Sequence, residues 1–230
     1  MSAEDFKNGQ ILLIDKPLHW TSFQVVNKLR FAIKKKFKIK DIKVGHAGTL
    51  DPLATGLLII CTGKLTKTID SLQAQAKEYT GTITLGGTTP SYDLETSVDQ
   101  VYPYAHITDS EIYAATKAFL GEIEQLPPMF SAIKKDGVRM YELARKGISA
   151  EIKPRKITIM EFEITNIDLP EVDFRIVCSK GTYIRSLAHD FGKVLQTGSH
   201  LSALRRTKIG DYGVANAMDM NSYIGQLDLE

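Results

Sequence analysis

Two cysteines in 230 residues, Cys61 and Cys178, are too few for a disulfide framework, and they form no C-x-x-C pair. Each lies inside an apolar, strand-like segment, as a buried reduced thiol would. No apolar stretch approaches the roughly 18 residues that cross a membrane, and the N-terminus lacks the charged-then-apolar export pattern. The expected setting is therefore the cytoplasm, away from membranes. The histidines (His19, His46, His106, His189, His200) never fall at H-x-x-x-H or H-E-x-x-H spacing, so no metal site is expected. There is no G-x-S-x-G elbow, and Gly56 to Gly63-Lys64 has the wrong internal spacing for a phosphate loop. An aspartyl-phosphate phosphatase would need an apolar strand before its Asp. Here the apolar strand follows Asp51.

Positive charge is also missing from one long stretch: residues 78–116 hold six acids and no Lys or Arg. The net charge of +2 hides this unevenness, because residues 28–43 carry eight Lys/Arg against one acid and residues 134–156 eight against three. Each basic run alone reads as a solvated face. Several in one chain of ordinary globular composition, 43% hydrophobic and 24% charged, point to a polyanion such as nucleic acid.

The apolar periodicity gives the elements. Residues 10–14 read as a short buried strand, and Thr21 with Gln24 forms a capping box that opens a helix. In that helix Phe23, Val26, Leu29 or Arg30, Ile33 and Phe37 recur at helical spacing as an apolar face, leaving Lys28, Lys34 and Lys35 for solvent or phosphate. Residues 56–61 are a continuous apolar run, a buried strand, and 77–87 alternate like a half-buried one. A second capping box at Thr108–Glu111 opens a helix to about Leu120. A short helix ends at Gly147, strands return at 157–167 and 172–179, a helix follows Gly181, and residues 202–210 read as a final strand. Hairpins are frequent and strands and helices do not alternate regularly, which predicts an α+β fold with a mainly antiparallel sheet.

"HAGTLDPLATG", residues 46–56, sets one carboxylate in a loop before the buried strand. Asp before Pro commonly just initiates a turn. Yet Pro52 holds Asp51 extended and the strand behind it is a rigid mount, so a positioned carboxylate would be built this way too. A glycosidase would need a second carboxylate nearby, which the sequence neither supplies nor excludes.

"GHAGTLDPLATGLLIICTGKLTK", "KEYTGTITLG", "PPMFSAIKKDGVRMYELARKG", "CSKGTYIRSLAHDFG" and "HLSALRRTKIG", in that order, resemble the motifs of the TruB family of tRNA pseudouridine synthases. The resemblance runs from residue 12 to about residue 210. It implies the pseudouridine synthase fold, a large mixed, mainly antiparallel sheet with flanking helices and a central catalytic cleft. The implied reaction is cofactor-free isomerisation of uridine 55 in the tRNA T-loop. Asp51 then becomes the catalytic carboxylate, able to attack C1′, add to the base at C6, or take a proton during glycal formation. Arg185 matches the arginine that pairs with that carboxylate, and Tyr79 the tyrosine beside the target base. His46 matches the histidine that fills the place of the extruded uridine, and Leu204 an aliphatic side chain closing the pocket. Lys34, Lys35, Lys180 and Arg205 are the expected further RNA contacts. Asp93 matches only loosely, because "SYDLET" departs from the family's D-x-D-x-x-G stretch. The family's C-terminal PUA-type domain is not expected, leaving residues 1–230 as one catalytic domain, a monomer acting on the tRNA T-arm. A different RNA target, or an RNA chaperone that grips the T-arm without chemistry, are the competing readings.

Overall fold

The computed structural model describes residues 2–131, 134–135, 137–145, 147–148 and 152–229. The chain divides into two compact units, residues 1–79 with 204–230 and residues 80–203. In chain order the first unit contains α1 (Ala3–Asn8), β1 (Ile11–Lys16), α2 (Ser22–Phe37), β2 (Val44–His46), β3 (Ala54–Thr62), α3 (Ile69–Ala74) and the start of β4 (Lys77–Leu85). The second continues β4 and adds β5 (Gly87–Thr88), β6 (Gln100–Val101), α4 (Asp109–Ala115), β7 (Gly121–Gln125), β8 (Lys134–Lys135), β9 (Val138–Arg139) and α5 (Met140–Arg145). It goes on through β10 (Arg155–Asp168), β11 (Glu171–Cys178), α6 (Ile184–Val194) and the start of β12 (Ser199–Ile209). The end of β12, then β13 (Tyr212–Gly213), β14 (Met218–Asp219) and α7 (Met220–Leu229), return to the first unit.

In the first unit the strand order is β14-β1-β3-β12-β4, with β2 on β3 and β13 on β12. β3 pairs antiparallel with β1 and parallel with β12. Its apolar run is continuous because both faces are covered: Leu58 and Ile60 pack with Val25, Val26, Leu29, Ile33 of α2 and with Met220 and Tyr223 of α7. Leu57, Ile59 and Cys61 pack on the other face with Leu72 and Ile209. A strand buried on both sides loses the alternation of a half-exposed one.

In the second unit the order is β12-β4-β11-β10-β7. Its sheet pairs β10 antiparallel with both β11 and β7. Phe119, Phe162, Phe174 and Phe191 form a chain of edge and tilted ring contacts in its interior. The sheets are mixed and mainly antiparallel with flanking helices, the α+β class expected. Both capping boxes are formed, Thr21 with Gln24 and Thr108 with Glu111.

Two expectations need correction. Phe23 is not on the buried face of α2; that face is Ser22, Val25, Val26, Leu29 and Ile33, and Phe23 stands in solvent. Residues 202–210 are not the last strand, because β13 and β14 follow before α7, and β14 pairs parallel with β1.

Candidate active site

Asp51 begins a tight turn, its carbonyl accepting from the Ala54 amide at 3.1 Å, and the turn leads directly into β3. The turn expected before Pro52 is formed, and it is compatible with a positioned carboxylate. What fixes the turn was not anticipated: two buried cations, Lys16 and Arg206, hold its backbone. Lys16 donates from Nζ to the carbonyls of Trp20 (2.6 Å), Pro17 (2.9 Å) and Pro52 (3.5 Å). Arg206 donates from Nε to Leu57 (2.8 Å) and from its two Nη atoms to Gly48 (3.0 Å) and Thr49 (3.5 Å). Ser22 adds a third tie, its Oγ accepting from the Leu50 amide at 2.8 Å and donating to the Leu50 carbonyl at 3.1 Å. Backbone on both sides of Asp51 is thus held by charge-assisted or buried hydrogen bonds, the strong kind.

The electrostatics of this cluster are mutual. Burial pushes the Lys16 ammonium down to about 8; the Asp51 charge opposes that shift and the Arg206 charge adds to it. His46, at the end of β2, also falls below its ordinary value, through burial and then the Arg206 charge, against an opposing hydrogen bond to the Gly48 backbone. That shift favours the neutral imidazole. Such a ring stacks on a base without carrying a charge into the stack.

The other expected residues are placed as follows. Tyr79 is buried in β4, in the same unit as Asp51. Leu204 is half-buried in β12 opposite Ala54, so it flanks the turn that Asp51 opens. Arg205 turns its fork onto Asp15, with Nη1–Oδ1 at 3.0 Å and Nη2–Oδ2 at 2.6 Å. Lys34 is half-buried and Lys35 exposed in the last turn of α2. In the second unit Lys180 is exposed just after β11.

Arg185, in the first turn of α6, is buried in the second unit with its Nε 3.6 Å from Asp93 Oδ2 and its Nη1 donating to the Ser91 carbonyl at 3.2 Å. Asp93 is itself buried. Its Oδ1 accepts from the Glu95 amide at 2.9 Å, and its carbonyl accepts from Thr89 and Ser91 hydroxyls at 2.7 and 3.0 Å. The loop spells a different motif but delivers an acidic partner to the arginine.

Among the described residues no group of three or more His, Cys, Asp or Glu could hold a metal ion, and no helix is long and apolar enough to cross a membrane.

Residues 34–184 match the family model for the TruB family pseudouridylate synthase N-terminal domain, and residues 185–224 the tRNA pseudouridylate synthase B C-terminal domain. The chain belongs to the TruB family. Curated TruB relatives include the tRNA pseudouridine synthase B of Flavobacterium johnsoniae, 65% identical over 97% of this chain and 98% of that protein. That of Bacteroides fragilis is 52% identical over 98% of each. Among solved structures, a chain of a Cbf5-Nop10-Gar1 complex aligns at TM-score 0.71 and 28% identity over 98% of this chain. One from an H/ACA ribonucleoprotein bound to a substrate RNA containing 2′-deoxyuridine aligns at 0.69 and 27% over 96%. This chain spans just over half the length of those two, 56% and 53%. The pseudouridine synthase fold expected from the motifs is the one these neighbours share.

Sequence reasoning missed Lys16, Arg206 and Ser22. A signal for Lys16 was present: Leu12, Ile14 and Lys16 share the buried register of β1, so a lysine occupies a core position.

Proposed function

We propose that this chain isomerises uridine 55 in the tRNA T-loop, with Asp51 as the reacting carboxylate and Tyr79 and Arg185 supporting it. Conversion of a tRNA uridine to pseudouridine is the activity of its family. Position 55 and the residue roles are this proposal. The observation that carries it is the mounting of Asp51: a single half-buried carboxylate on a turn whose backbone is tied by Lys16, Ser22 and Arg206. Such rigidity suits a group that must meet C1′ or C6 of one extruded base, because small misplacements cost large rate factors.

The chemistry asks for little else. The N1–C1′ bond breaks, the base turns, C5 joins C1′, the C5 hydrogen leaves as a proton and N1 ends protonated, with no net change in atoms or oxidation state. His46 takes the space of the extruded uridine, and Leu204 closes the pocket beside the turn. Lys34, Lys35, Lys180 and Arg205 contact the RNA backbone, Arg205 exchanging its pair with Asp15 for phosphate.

Uridine-5-tritiated tRNA tests the reading, because only isomerisation releases the C5 tritium to water. Release confined to position 55, located by sequencing the product, is the expected result. Release from another position would move the target, and binding without release would leave an RNA-gripping protein.

A further inference from the structure

Two large aromatic side chains stand in solvent on α2, Phe23 at 63% exposure and Phe31 at 66%. They are eight residues apart, which places them about 12 Å apart along the axis and about 80° apart around it. Helical geometry sets Asn27 and Lys34 between them, and Arg30, Gln24 and Lys35 within about 40° of either edge, on the side opposite the buried stripe of Val25, Val26, Leu29 and Ile33. α2 contains no Asp or Glu, so the arc is aromatic, amide and cationic throughout. Lysines in a last turn are explained by the helix dipole alone. The dipole gives no reason for two exposed phenylalanines.

The position of the face narrows the occupant. Ser22, the residue before Phe23, is the one whose hydroxyl ties α2 to Leu50, next to Asp51. The aromatic face therefore begins at the turn carrying the candidate carboxylate and runs away from it toward Lys34 and Lys35. We infer that the outer face of α2 is a track for unpaired nucleotides flanking the target uridine, bases stacking on Phe23 and Phe31 and phosphates meeting Arg30, Lys34 and Lys35. Exposed aromatics interleaved with cations are how proteins bind single-stranded nucleic acid with little sequence preference. The axial rise of about 12 Å from Phe23 to Phe31 is the reach of two or three unstacked nucleotides, so one short segment can engage both. The inference rests on the proposed function for its substrate, and adds where the RNA lies.

The test uses the full chain and substrate tRNA. Phe23→Ala and Phe31→Ala each should weaken tRNA binding roughly tenfold, and Phe→Tyr at either position should restore it. Tyr113→Ala removes a comparably exposed aromatic from the acid-rich helix α4 and should leave affinity unchanged. As a direct readout, 2-aminopurine beside the target nucleotide should lose fluorescence on binding the wild type and lose less on binding Phe23→Ala. Unchanged affinity and quenching in both Ala variants overturns the inference and leaves the face to a protein partner. Restoration by Leu as fully as by Tyr also overturns stacking. Tritium release by the wild type, measured alongside, separates these outcomes from failure of the functional reading itself.

Discussion

Gly56 and Arg206 are paired across β3 and β12 so closely that a Cβ on Gly56 would lie 2.3 Å from the Arg206 carbonyl oxygen and 2.7 Å from its amide nitrogen. Gly56 also sits at φ +102°, a conformation L residues rarely adopt. The same Arg206 holds Gly48, Thr49 and Leu57, so the glycine's lack of a side chain sets how near the clamp can come to the turn of Asp51. Gly56→Ala must clash with backbone, which cannot rotate away. A loss of at least about 3 kcal/mol in urea denaturation is expected from strain plus displacement of β12. A loss under about 1 kcal/mol would mean that the strand pair yields without cost.

Much of this was legible in the sequence, and the remainder has physical reasons. Thr21–Gln24 and Thr108–Glu111 announce their helices because capping chemistry is local. The run into Cys61 announces a buried strand. Phe23 was misplaced because it shares spacing with Val26, and a helix rotates about 60° between positions three apart, enough to pass from the edge of the buried stripe into solvent. The Arg185–Asp93 pair joins residues far apart in the chain, and "SYDLET" does not advertise it. Lys16 and Arg206 look like surface cations until β1 and β12 are given a register. Charged residues at core positions are the local inconsistencies that functional sites impose.

Asp51→Asn preserves size and removes the anion. Turnover should fall to background while tRNA affinity stays within about tenfold, roughly 1.4 kcal/mol. Multiple turnover by the Asn variant would remove Asp51 from the reaction.

Lys16 makes a pH prediction. Its folded value, about 8, lies below the ordinary 10.5, so between those limits the unfolded chain holds a proton that the native state sheds. Its contribution to stability must therefore rise with pH across that window, by at most about 1.4 kcal/mol per unit, and a Lys16→Met variant should lack the rise. Activity moves the other way. Above about pH 8 the turn loses the charged donor to Pro17, Trp20 and Pro52 and the positive charge opposing Asp51, so single-turnover tritium release should decline. Identical pH profiles for wild type and Lys16→Met would remove Lys16 from both effects.

Asp93→Asn removes one anionic partner of the buried Arg185 guanidinium. Losing one member of a buried pair costs about 3–5 kcal/mol, so thermal stability should drop sharply. Arg185→Lys keeps the charge but not the fork, and should lower kcat far more than it weakens tRNA binding. In a double-mutant cycle of Asp93→Asn with Arg185→Gln, the two losses should be less than additive. Simple additivity would mean that the 3.6 Å contact carries no coupling.

The lysines at the end of α2 separate phosphate binding from helix stabilisation through a measurable slope. Each phosphate neutralised releases condensed counterions, contributing about 0.7 to 0.9 to the dependence of log K on log salt. Lys34 and Lys35 project about 100° apart and Lys36 a further 100° round, so one straight stretch of backbone cannot meet all three. Changing the three to Ala should therefore reduce the slope by roughly 1 to 2 units rather than 3. Because phosphate contacts position the RNA without touching the bond that breaks, kcat at saturating tRNA should barely change. Cations that serve only the helix dipole predict another pattern, a loss of about 0.3–1 kcal/mol each in stability with the salt slope intact. An unaltered slope would assign these lysines to the helix and leave the basic residues of 134–156, with Arg205 and Lys208, to hold the RNA.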